Sequence, residues 1–149
     1  LIKDIKLMNY LKLPIDFSEI LMNKSADRCS KVESIAQHIM MMITSRYGEV
    51  VGRDDFGSKI WELEFSQLVR IQDWEEQVEN SLTEAIIKYE ARLKDIKVAV
   101  VLSEVDDNLS NSENTQIRRK SQITVKGKLV ENDMDFNFST LIYISPLSQ

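Results

Sequence analysis

The 149-residue sequence predicts an α+β fold in a single domain, with amino-terminal helices packed on a carboxy-terminal, mainly antiparallel sheet of three or four strands. Three observations predict it. Apolar residues recur at helical spacing in two segments ahead of Glu90. After Arg92 they alternate with polar ones, as in strands. The alternating segments follow one another through loops, which favours antiparallel neighbours. A chain of this length can bury one core without disulfides or metals. Its 43% hydrophobic and 29% charged residues are ordinary for a globular domain.

Residues 1–29 read as an arm. Pro14 disfavours helix in the residue before it, and a short helical turn is expected around Phe17–Leu21. Ser30-Lys31-Val32-Glu33 has the form of a capping box, in which the Ser hydroxyl accepts from the third amide and the Glu reaches back. Val32, Ile35, Ala36, Ile39, Met42, Ile43 and Tyr47 follow at three- and four-residue spacing, one buried stripe on a helix ending at Gly48. Met40, Met41 and Met42 widen the stripe and read as core filler or as a face for a partner helix.

Residues 49–57 read as a connector punctuated by Gly52 and Gly57, and Ile60–Phe65 as a short helical turn held by large side chains. Asp73-Trp74-Glu75-Glu76 is a second capping signal, opening a helix whose apolar stripe is Trp74, Val78, Leu82, Ala85, Ile86 and Tyr89. Glu62, Glu64, Glu75, Glu76 and Glu79 read as charges on solvated helix faces.

Ile96, Val98, Val100 and Leu102 then alternate with Lys97, Ala99 and Val101 as a first strand, and Ser103–Thr115 is a polar loop. Gln116–Leu129 is a second strand carrying Ile117, Ile123 and Val125. After a turn near Glu131-Asn132-Asp133, Met134–Ile144 is a third, with Phe136, Phe138 and Ile142 on one side. Pro146 cannot donate to a ladder, so a sheet edge near the carboxy terminus is expected to stay open, suited to strand addition by a partner.

The chemistry that the residues exclude is broad. A net charge of −5, with Arg118-Arg119-Lys120 as the densest basic cluster, disfavours nucleic acid as a partner. No apolar run is longer than the five residues of Ile39–Ile43, far short of a membrane span, so no direct membrane insertion is expected. The charged amino end does not resemble a signal peptide, and a cytoplasmic location is expected. Cys29 is the single cysteine and reads as a small buried or half-buried side chain ahead of a helix; His38 reads as structural or surface. Zinc-ligand spacing, phosphate-cradling loops, nucleophile elbows and His-Glu-x-x-His are all missing from the sequence. Asp106-Asp107-Asn108 lacks the Gly and distal Glu of a calcium loop. No catalytic residue, metal or cofactor is assigned.

The segment Gly52-Arg53-Asp54-Asp55-Phe56-Gly57-Ser58-Lys59-Ile60-Trp61-Glu62-Leu63-Glu64-Phe65 resembles the signature of the phage baseplate wedge and TssE family, an acidic-x-Phe-Gly turn followed by a Leu-x-Phe run. Farther along, Tyr89-Glu90-Ala91-Arg92-Leu93 stands where that family has Glu-Pro-Arg before a strand, with Ala91 in place of the Pro. The Ile-Trp-Glu-Leu form and the ending Tyr143–Ser148 resemble the Bacteroidetes-type version.

The resemblance implies a non-enzymatic structural subunit of a contractile injection (type VI secretion) baseplate, cytoplasmic and at the inner-membrane-associated baseplate. It implies that Glu90 and Arg92 dock on the core bundle of the wedge subunits TssF and TssG, with Arg53, Asp55, Phe56, Gly57, Trp61, Leu63 and Phe65 as scaffold. It further implies that the strands carrying Ile117, Ile123, Val125, Phe136, Phe138 and Ile142 add to strands of sheath subunits resembling TssB and TssC, templating their polymerisation. In isolation a weak homodimer through the open edge is expected. Two alternatives stand beside this reading: a peptidoglycan hydrolase, since the family also carries a lysozyme-like label, and an adaptor that binds a regulatory protein.

Overall fold

The capping box predicted at Ser30 is formed: Ser30 Oγ accepts from the Glu33 amide at 3.2 Å, and Glu33 Oε2 accepts from the Ser30 amide at 2.7 Å. It opens a helix over Lys31–Thr44 in the computed structural model, which describes residues 9–62, 70–106 and 117–144, without the side chains of 104–106 and 117–118. In chain order the elements are β1 (Tyr10–Leu11), α1 (Phe17–Leu21), β2 (Arg28–Cys29), α2 (Lys31–Thr44), a 3₁₀ turn (Lys59–Trp61), α3 (Ile71–Tyr89), β3 (Leu93–Asp106), β4 (Ile117–Leu129) and β5 (Asp135–Ile144).

The fold is α+β. β3, β4 and β5 form an antiparallel meander with β4 in the middle. Val98, Val125 and Phe138 lie opposite one another across it, as do Val100, Ile123 and Thr140. A register shift between Lys94 and Lys97, with Asp95 at φ 53°, places one extra residue on β3 relative to β4, a bulge near the start of the strand. One sheet face packs on the helices, where Ile35, Ile39, Met42 and Ile43 from α2 and Trp74, Val78, Leu82, Ala85 and Ile86 from α3 meet Val100, Leu102, Ile123, Val125, Phe136, Ile142 and Ile144. Each Ile, Val, Leu, Met or Phe side chain among them, fully removed from water, favours folding by about 1.5–3 kcal/mol. The arm is tied down by pairing of β1 with β2 and by the buried Cys29, whose thiol donates to the Leu11 carbonyl at 3.4 Å.

Several boundaries differ from those read in the sequence. α2 ends at Thr44, not at Gly48, because tertiary donors take the carbonyls at its end. Trp61 Nε1 donates to the Ile43 oxygen at 2.9 Å and the Ser58 amide to the Ser45 oxygen at 3.3 Å. Gly48 (φ +79°) instead serves a loop closed by its amide on the Asp54 carbonyl. Within the stripe, Val32 and Met41 are exposed and Tyr47 half-buried. α3 starts at Ile71, so Asp73 is not its cap. Asp73 sits in the first turn, where a negative charge suits the helix dipole. The polar loop expected from Ser103 begins later, because β3 stays paired with β4 as far as Asp106. The expectations for Leu63, Phe65, the Ile117 side chain, Pro146 and residues 107–115 fall outside the described residues.

Candidate functional site

α3 ends at Tyr89, Glu90 is its C-cap, and a tight turn through Ala91 delivers the chain into β3 at Leu93, whose amide donates to the Glu90 carbonyl at 3.2 Å. The turn forms with Ala91 at its corner and no proline in it. Arg92 folds back over it: Nε donates to Glu90 Oε1 at 2.7 Å and Nη2 to Glu90 Oε2 at 2.6 Å, a two-pronged ion pair. The Arg92 amide also donates to Glu90 Oε1, at 3.1 Å, and Nη1 donates to Ser34 Oγ on α2 at 3.0 Å.

Glu90 is 2% exposed. Burial works against its ionisation, yet hydrogen bonds from Arg92 and from His38 Nδ1, 2.9 Å away, outweigh it and hold the carboxyl at about 2. The same bond raises the pKa of Arg92. Glu90 therefore touches its own fold, and of the pair only Arg92, 28% exposed, reaches solvent. Its guanidinium lies 5.2 Å from the centre of the Tyr10 ring, so the arm's first strand forms one wall of the site.

The Asp-Phe-Gly segment meets this cluster through His38. Phe56 is buried, stacked on the His38 imidazole (centroids 5.8 Å apart) and edge-on to Tyr89 (5.2 Å). Asp55 is exposed and accepts from Lys88 and from the Tyr89 hydroxyl, which hold its pKa down. Arg53 lies over the Tyr89 ring at 5.4 Å. Gly57 (φ +139°) is required at its position: a Cβ there would stand 2.6 Å from the Ser45 carbonyl oxygen. The half-buried Trp61 caps α2 as described. Two motifs distant in sequence thus share one scaffold. Sequence reasoning missed Ser34, His38, Tyr10 and Tyr89 as its members. The one available signal was the four-residue spacing of Ser34 and His38, which puts both on one side of α2.

The strand residues expected to contact a sheath sit differently from that expectation. Ile123, Val125, Phe136 and Ile142 are buried in the core and Phe138 is half-buried, so their side chains are engaged with the helices. What a partner strand meets is a backbone edge, and the two edges differ. On β3, the Val100 amide donates to Glu79 Oε1 at 2.9 Å and the Leu102 amide to Glu75 Oε1 at 2.7 Å. These amides point away from β4, so by antiparallel alternation Ile123 and Ser121 bond β5. The β5 amides facing outward are then those of Asn137, Ser139, Leu141 and Tyr143, and no group among the described residues accepts from them. Glu75 and Glu79 are accordingly not simple solvated-face charges; both are half-buried.

A solved structure from Geobacter sulfurreducens, provisionally described as a tail lysozyme, has the same fold. It aligns with a TM-score of 0.56 and 22% identity over 83% of this chain and 100% of its own. No curated protein matches the sequence. The family model of baseplate wedge protein gp25 matches residues 29–133, a span that takes in the Asp-Phe-Gly segment, the Glu90–Arg92 pair and the whole of α2 and α3. The chain therefore belongs to the baseplate wedge protein gp25 family.

Proposed function

We propose that the chain is a non-enzymatic structural subunit of a contractile injection baseplate of the type VI secretion kind, residing in the cytoplasm at the inner-membrane-associated baseplate. The single observation that carries this reading is membership of a baseplate wedge family across both motifs. In this reading Arg92 contacts the core bundle of TssF- and TssG-like wedge subunits, and Glu90 positions its guanidinium from beneath. Sheath subunits like TssB and TssC add a strand at β5, with main-chain hydrogen bonds setting the register. The hydrolase reading finds no support in Glu90. A glycosidic general acid needs a raised pKa, and the one buried carboxylate among the described residues is held at about 2.

The test is co-purification with neighbouring wedge candidates, comparing the wild type with Arg92→Lys, which keeps the charge and loses the fork. Wedge subunits are expected with the wild type and lost with the variant, at unchanged far-UV circular dichroism. Recovery of equal amounts with both would remove Arg92 from the interface. Release of peptidoglycan fragments by the wild type, abolished by a single Glu substitution, would replace the structural reading with the hydrolase.

A further inference from the structure

The two carboxylates on the β3 edge are matched to it by simple geometry. Four residues of α-helix rise about 6 Å. Two residues of strand, the repeat of outward-facing amides, rise about 6.6 Å. Glu75 and Glu79, four apart on α3, therefore fall in register with Leu102 and Val100, two apart on β3, the helix running antiparallel to the strand. Each carboxylate puts a negative charge and an acceptor where an incoming strand would place a carbonyl. The acceptor satisfies the amide, and the charge disfavours another chain's backbone oxygen. β5 has no counterpart among the described residues. Its outward amides lie beside Leu141 and Tyr143, which are exposed.

We propose that Glu75 and Glu79 seal the outer edge of β3, so that the sheet can be extended in one direction only, from β5. The seal is a property of this chain alone; its use as a direction-setter for a partner strand rests on the strand-addition reading above. The strand that β5 accepts has apolar residues at alternate positions, because Phe136, Phe138 and Ile142 present that row on the core side of the edge. A sheet with one free edge pairs with a second copy and closes at a dimer. A sheet with two free edges has no such stop and grows as an open chain.

Amide hydrogen exchange on the wild-type protein tests the seal directly. The Val100 and Leu102 amides are expected to exchange about tenfold or more slowly than those of Asn137, Ser139, Leu141 and Tyr143, as hydrogen bonds to charged acceptors produce. Equal exchange at the two edges would overturn the proposal. Glu75→Ala/Glu79→Ala should erase the difference, and Glu75→Gln/Glu79→Gln, which keeps an acceptor, should retain most of it. In sedimentation velocity the wild type should not pass beyond a dimer. The Ala variant should form larger, concentration-dependent species, returned to dimer or monomer by adding Ser139→Pro on β5. A folded Ala variant that sediments like the wild type, or a wild type that itself polymerises, would also overturn it. If instead exchange shows the seal but no sheath strand adds at β5 on reconstitution, the templating reading fails and the seal stands.

Discussion

Glu90→Gln is the perturbation whose size the structure sets most directly. The wild-type carboxyl is held at about 2 against an ordinary value of 4.5. A shift of that size favours the folded state by about 3 kcal/mol at neutral pH. Because the folded pKa is the lower one, this stabilisation is present in full above 4.5 and is lost as pH falls through about 2. Gln keeps the shape but not the charge, and turns an amide N–H toward donors on Arg92 or His38. The variant should therefore lose about 3 kcal/mol near neutrality, a fall in Tm of about 6–12 °C for a domain of this size. The two proteins should converge in stability near pH 2. The assay is urea unfolding of both across that window. Glu33, Asp55 and Asp133 also have lowered pKa values, but they are common to both proteins and cancel in the difference. A stability gap that is the same at neutral and acid pH would refute the reasoning, because it would locate the cost in packing rather than in the charge.

Other perturbations follow from the same scaffold. Gly57→Ala places a Cβ 2.6 Å from the Ser45 carbonyl at a φ of +139°, and should cost about 1–3 kcal/mol in chemical denaturation. Trp61→Phe keeps an aromatic ring but loses the pyrrole half of the indole along with its donor to the Ile43 carbonyl, so it should lower stability by about 1–3 kcal/mol, measurable by thermal melting. Ser30→Ala breaks the capping box of α2 and should also cost about 1 kcal/mol, with faster amide exchange confined to that helix's first turn.

Much of this protein is legible in the sequence by itself. The spacing of Ile35, Ile39, Met42 and Ile43 and of Trp74, Val78, Leu82 and Ile86 marks two helices and their buried faces, because a period of 3.6 has one solution for which side is dry. The change to a period of two after Arg92 marks the meander, and the order of Phe136, Phe138 and Ile142 marks its core side. Ser30 and Glu33 announce a helix start because their bonds are local.

What the tertiary structure decided lies wherever a partner comes from far along the chain. α2 stops at Thr44 because Trp61 and Ser58 arrive from a later loop, and no residue near Gly48 reports that. Glu90 and Arg92 are adjacent enough to suggest a pair, but His38, Ser34 and Tyr10 join them only once α2 and the arm are packed against the turn. Glu75 and Glu79 look in sequence like any other surface carboxylates. Packing alone lays α3 along the β3 edge, and the near-equal rise of four helical residues and two strand residues then sets both carboxylates on the outward amides of Leu102 and Val100.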